Sequence, residues 1–316
     1  MPFADKRSPR TGIALKVTAV TLFVAMASCI KAAAPHVPAG EAVFFRSLFA
    51  MPVIVVWLLY RHDLRNGLRT PNPWGHFWRG AIGTAAMAMG FSALGLLPLP
   101  QVTAIGYAVP VLTVILAAIF LGERIRLFRI SAVAIGLLGV SIVLWPDLMA
   151  SRMEPGSART LGALLALGSA VGASVAQVLI RRLVETEDTP AIVFYFSLSA
   201  TLFGLATLPF GWLGDWVVPT GREAALLISS GVLGGLGQIA LTSAYRYADA
   251  STIAPFEYAS IILAILIGYT VFSEVPSVQT MMGVAIVIAA GILIIWRESR
   301  LGIRRGRGRR LMTPQG

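Results

Sequence analysis

A positive charge inside an apolar stretch is the first chemistry the chain offers. Arg46 stands about two turns into the run EAVFFRSLFAMPVIVVW. A charge at that depth in a bilayer costs upwards of about 2.5 kcal/mol, so such a residue is either paired or functional. The functional reading is a contact for an anionic group or carboxylate in a solute pathway; the structural one is an ion pair, or snorkelling to the nearer interface. Glu41 and Lys31 lie closer to the same surface and could join a network with Arg46. Glu257, beside Tyr258, is the acidic residue set deepest in an apolar run. It could bind a cationic group or carry a coupling proton, or sit in a first helical turn where the helix dipole favours a carboxylate. The phenols of Tyr107 and Tyr258 would suit a planar or amphiphilic solute, or serve as core packing. The amides of Gln101 and Gln238 could bond a solute or join helices. There is no Ser/His/Asp arrangement, no HExxH and no spaced carboxylate pair, so no catalytic residue is expected. One cysteine, Cys29, excludes CxxC chemistry, and His36, His62 and His76 lie near links between apolar runs. Neither a metal nor a cofactor is expected.

The elements that position these residues follow from composition. The 316 residues are 56% hydrophobic and 13% charged, about half the charge of a soluble domain. A membrane-spanning helix needs about 20 mainly apolar residues. Ten windows qualify: 13–34, 40–60, 76–96, 98–120, 128–146, 160–180, 190–212, 224–245, 250–272 and 276–296. The expected fold is an all-α integral membrane protein, and its short links leave no room for a soluble domain.

The windows form two sets. Adding 151 to a residue number carries Tyr107 onto Tyr258, Glu123 onto Glu274, Ser92 onto Ser243, Gly80 and Gly83 onto Gly231 and Gly234, and Trp145 onto Trp296. The spacing holds without a gap over several segments, which points to duplication. Five helices is an odd number, so the second set enters the membrane from the opposite side and the two are inverted repeats. The expected divisions are a cytoplasmic segment 1–12, a first repeat 13–146, an external linker 147–159, a second repeat 160–296 and a basic tail 297–316.

Charge sets the orientation. With the N-terminus inside, the inner segments hold 21 of the 26 Lys and Arg residues, the outer ends hold Lys31, Arg152, Arg159 and Arg222, and Arg46 is left over. Both termini are therefore expected in the cytoplasm. A cleaved leader is the alternative for the first run, since Lys6, Arg7 and Arg10 precede an apolar stretch ending in Ala32-Ala33-Ala34. Its length opposes that, as does the loss of helix 6's repeat partner. Placement explains the net charge of +11 without nucleic acid. The expected partners are a small-molecule substrate and the lipid bilayer, with anionic lipid at the basic tail, and a homodimer is compatible with the chain.

Pro52, Pro110 and Pro255 each remove a backbone donor and can bend a helix, freeing carbonyls that a cavity or neighbour must satisfy. Pro110 and Pro255, on the repeat-related helices 4 and 9, are assigned to bending or gating, and these two helices to the pathway wall. Glycines along helices 6 and 8 read as close-packing faces. The seven tryptophans lie at or near helix ends, as an aromatic belt would.

Three segments carry a family resemblance: EAVFFR (41–46), FSALGLLPLPQVTAI through P-x-x-T into FLGERI (91–125), and DASTIAPFEY with FSEVPS (249–277). Over roughly residues 10 to 297 the chain resembles the EamA-type carriers of the drug/metabolite transporter superfamily. It is most similar there to the bacterial branch of S-adenosylmethionine and riboflavin carriers; amino-acid and metabolite exporters share the fold. The resemblance implies a central cavity between the halves, walled by helices 3, 4, 8 and 9 among others, and movement of small organic solutes across a bacterial inner membrane. Ser197 stands where the repeat would place a second Arg46, which departs from a symmetric charged site. The expected function is a secondary transporter working by alternating access. The alternatives are an amino-acid or drug exporter of the same fold and, from another class, a non-transporting scaffold or sensor.

Overall fold

The computed structural model describes residues 9–60, 67–109, 112–113, 115–116, 134–145, 157–183, 186–211, 213–247, 256–257, 259–289 and 292–293. Ten α-helices run through them, one for each apolar window: α1 Pro9–Ala33, α2 Ala39–Tyr60, α3 Pro73–Leu96, α4 Leu99–Gly106, α5 Ala134–Trp145, α6 Ala158–Leu183, α7 Thr189–Phe210, α8 Gly221–Tyr247, α9 Ala259–Phe272 and α10 Val278–Ala289. Among the described residues five helices are long and apolar enough to cross a membrane: α1, α2, α6, α7 and α8. At 1.5 Å per residue the 22 residues of α2 reach about 33 Å, the thickness of a bilayer's hydrocarbon core.

The repeat is structural. Adding 151 to α1, α2 and α3 gives 160–184, 190–211 and 224–247, against 158–183, 189–210 and 221–247 for α6, α7 and α8. The halves are exchanged in packing: α1 runs along α8, its image α6 runs along α3, and α2 crosses α7. The two sets are inverted five-helix repeats of an all-α membrane protein. Matched polar links mark the inversion. His36, between α1 and α2, meets Glu223 at the start of α8, Nδ1 to Oε1 3.1 Å. At the other end of α2, the backbone N–H of Asn72 donates to Glu187 Oε1 at 3.0 Å. Residues 36 and 72 become 187 and 223 under the same offset.

Helix ends are set by local chemistry. Asn72 caps α3 by accepting from Gly75 N–H, and Ser157 and Ser277 accept from the N–H of Thr160 and Thr280 at the starts of α6 and α10. Thr220 and Glu223 form a reciprocal capping box on α8: Thr220 N–H donates to Glu223 Oε2 at 2.7 Å, and Glu223 N–H donates to Thr220 Oγ1 at 3.4 Å. Thr220→Ala is expected to cost about 1 kcal/mol of stability, read as a lower thermal midpoint in detergent with an unchanged helical spectrum.

Glycines let the backbones approach. A Cβ on Gly204 of α7 would lie 2.7 Å from Phe44 N on α2, and one on Gly139 of α5 would lie 2.8 Å from the Gly283 carbonyl on α10. Large apolar side chains such as Val56, Leu205, Ile262 and Leu266 face outward, as a lipid-facing surface requires. Trp74, Trp78 and Trp145 are exposed in the way an aromatic belt predicts. Trp216 differs: it packs on Phe44 and Phe45 and donates from Nε1 to Thr207 Oγ1 at 3.0 Å, holding the segment before α8 over the start of α2.

Candidate functional site

Among the described residues, three groups of charge within the body bear on the expected site, two of them tying helices together. At the end where α1 finishes, the outer one on the charge reading, Lys31 Nζ lies 2.9 Å from Glu274 Oε1, with side chains 12% and 19% exposed. The same ammonium donates to the carbonyls of Leu94 (3.2 Å) and Leu97 (2.7 Å) at the end of α3. The second oxygen of Glu274 accepts from Leu99 N–H, at the start of α4, at 2.9 Å. Ser273, at φ 54°, turns the chain after α9 so that Glu274 N–H returns to the Gly268 carbonyl at 2.8 Å. One ion pair thus joins α1 and the end of α9 to the ends of α3 and α4. Charge-assisted bonds away from water are the stronger kind, and this cluster makes four.

At the opposite end Lys16 Nζ lies 3.2 Å from Glu257 Oε2, with side chains 4% and 37% exposed. This bond links α1 to the start of α9. Glu257 sits in a 3₁₀ turn ahead of the described α9, not two turns inside a helix, and it faces a buried ammonium. Losing this carboxylate, as in Glu257→Gln, is expected to cost about 1–2 kcal/mol, less than for a fully buried pair because Glu257 is partly in solvent. Lys16→Met with Glu257→Gln should restore the thermal midpoint. If flux then stays low, Glu257 does more than neutralise Lys16.

The third place is the middle of the body. Arg46 of α2 and Arg79 of α3 are both buried, and both guanidinium groups face the ring of Phe196 on α7, 5.8 and 3.8 Å from its centroid. Arg46 does not meet the residues expected near it. Glu41 accepts instead from Val217 N–H at 3.0 Å, and Lys31 belongs to the cluster with Glu274.

The other candidates are scattered. Tyr107 is buried in the core formed by α4, α5, α6, α9 and α10, and its hydroxyl bonds Ser260 Oγ at 2.5 Å, joining α4 to α9. Gln101 is partly buried in the first turn of α4, and Gln238 is partly buried on α8, one turn beyond Gly234. Tyr258, Pro110 and Pro255 lie outside the described residues, as does the basic tail. A recess of about 340 Å³, within the size range of small-molecule sites, opens near the C-terminal ends of α1 and α3 and the start of α6, beside Leu213. Ser92 is its single polar side chain; Arg46, Tyr107, Glu257, Gln101 and Gln238 do not line it.

Sequence reasoning missed Lys16 and Arg79 by counting them as loop charges that set orientation. The available signal was position: Lys16 falls inside window 13–34 and Arg79 inside 76–96, so both enter the body with their helices.

Comparison with known proteins agrees with this architecture. The EamA-like transporter family model matches residues 10–145 and again 160–296, once per repeat. The chain is 32% identical over 286 residues to the pseudopaline exporter of Pseudomonas aeruginosa, covering 90% of this chain and 96% of that protein. It is 29% identical over 260 residues to the S-adenosylmethionine uptake transporter of Rickettsia felis, covering 82% and 84%. A solved crystal structure superposes with a TM-score of 0.65 at 22% identity, over 93% of this chain and 99% of that one, and so shares the fold. With each five-helix half matched separately and nearly the full length aligned, the chain belongs to the EamA-like transporter family and is a multi-pass membrane transporter rather than an enzyme.

Proposed function

We propose that the protein is a secondary carrier that moves small organic metabolites across a bacterial inner membrane by alternating access, with both termini in the cytoplasm. The observation that supports this most is the Lys31–Glu274 cluster. It ties α1 and the end of α9 to the ends of α3 and α4 through a partly buried ion pair, whereas the Lys16–Glu257 pair joins α1 to the start of α9. A contact between two groups of helices at one face is what a closed gate requires. In sequence, the offset of 151 carries Lys31 onto Arg182 and Glu274 back onto Glu123, so a cation and an acid recur in the inverted positions. Glu123 lies outside the described residues. In an inverted repeat each half can take the other's conformation, so breaking one gate and forming its image exposes the solute to the opposite face.

Relatives that export pseudopaline and take up S-adenosylmethionine support a small organic solute. Counterflow in proteoliposomes against amino acids, organic acids, nucleosides, flavins and S-adenosylmethionine is expected to find at least one solute that crosses. A protein that is folded and inserted, yet moves none of them, would be a scaffold or sensor.

A further inference from the structure

Arg46 and Arg79 carry two cations into the middle of the body, 2% and 6% exposed. In each, Nε and Nη1 are buried and have no hydrogen-bond partner. Among the described residues the buried and half-buried carboxylates are engaged elsewhere. Glu41 holds Val217 N–H through Oε2 while its Oε1 is buried without a partner, Glu187 accepts from Thr70 and Asn72 and lies 3.3 Å from His76, Glu223 holds His36 and Thr220, Glu257 holds Lys16, and Glu274 holds Lys31. The ring of Phe196 attracts both guanidinium groups but brings no negative charge. Buried ions are normally paired or functional, and these two like charges share one ring.

The backbone makes room for them. A Cβ on Gly234 would lie 2.8 Å from Arg46 Nε, and one on Gly83 would collide with Arg79 Nη1. Gly83 and Gly234 are repeat partners, so each half clears space at the same position for one guanidinium. The charges themselves are not duplicated. The images of Arg46 and Arg79 are Ser197 and Ser230, both buried, while Phe196 is the image of Phe45. The first half supplies two cations, and the second supplies the ring they face.

We infer, building on the carrier reading, that Arg46, Arg79 and Phe196 form the solute site, and that the solute is a small organic anion whose carboxylate or phosphate group the two guanidinium groups hold. An arriving anion supplies the missing counter-charge and receives the unused Nε and Nη1 donors. Its departure restores the unpaired state, so such a site releases as well as binds. A cation without an anionic group would be repelled.

The test uses the full-length protein. In detergent at constant ionic strength, thermal midpoints are measured with citrate, succinate and glutamate, with glucose 6-phosphate, with dimethyl succinate and with putrescine. At least one carboxylate or the phosphate ester is expected to raise the midpoint by about 3 °C or more, because a ligand bound only by the native state stabilises it. The neutral diester and the diamine should not. The carboxylate and phosphate arms separate the two chemistries. In proteoliposomes Arg46→Gln and Arg79→Gln should each cut uptake of the stabilising anion at least tenfold. Their ligand-free midpoints should hold or rise, since each removes an uncompensated buried charge. Stabilisation by neutral or cationic solutes alone, unchanged uptake in both variants, or loss of fold in both would overturn the inference. If no solute of any charge crosses the membrane, the carrier reading falls, while the midpoints still decide whether the arginines bind anions.

Discussion

Lys31→Glu is expected to abolish most transport, by more than tenfold, while leaving the protein folded and inserted. The substitution puts a second carboxylate against Glu274 and against the carbonyls of Leu94 and Leu97, where an ammonium had satisfied all three. Breaking a buried pair costs about 3–5 kcal/mol, and partial exposure here reduces that to about 2–3. If the contact forms only in the outward-closed state, that energy shifts the balance of states rather than the fold, by roughly 30- to 150-fold. The outer end should then stand open. In a Cys29→Ser background, Thr103→Cys, one turn inside Leu99 on α4, should react slowly with an impermeant maleimide when Lys31 is present and quickly when it is Glu. Equal rates would remove the gate. Exchanging both charges, Lys31→Glu with Glu274→Lys, should recover transport only in part. The reversed pair leaves a carboxylate facing two carbonyls and an ammonium facing the Leu99 N–H.

Gly204→Leu is expected to have the largest effect on stability. In lipid, apolar burial does not drive helices together, because lipid tails are as apolar as leucine; close approach of backbones does. At Gly204 the neighbour is backbone: Phe44 N at 2.7 Å and Phe44 Cα at 2.8 Å from an added Cβ. No rotamer change relieves that collision, so α2 and α7 must separate. Overpacking costs about 1–3 kcal/mol where neighbours can shift, and this crossing belongs at or above the upper end. The variant should lose its monodisperse peak or fall well below the wild-type thermal midpoint. Gly221→Leu is the control. It sits at the exposed start of α8 with nothing within 4 Å of an added Cβ, and should change stability by less than about 0.5 kcal/mol. Similar losses at both positions would mean that leucine itself, not the crossing, is responsible.

The duplication was legible because inversion preserves spacing even where it does not preserve residues. The offset of 151 predicts the span of α6, α7 and α8 from α1, α2 and α3 to within three residues, and it locates the matched links His36–Glu223 and Asn72–Glu187. Arg46 was legible for a different reason. An ionised side chain in an apolar window contradicts its surroundings, and that contradiction can be read without coordinates.

Partnership could not be read in this way. Lys16 and Arg79 looked like orientation charges because each stands within two turns of the window edge that the charge reading puts in the cytoplasm, where snorkelling to water is cheap. Only the crossing of α2, α3 and α7 shows that Arg79 turns inward onto Phe196 instead. Tyr107 and Glu257 show the reverse. Both had the types a solute site would use, yet the hydroxyl of Tyr107 bonds Ser260 and the carboxylate of Glu257 faces Lys16, 241 positions away. Composition and periodicity determined that this chain crosses a membrane ten times in two inverted sets, because those properties depend on transfer energies summed along each segment. Which charges neutralise one another and which are left bare depends on side chains from helices far apart in sequence, so the tertiary structure alone decided it.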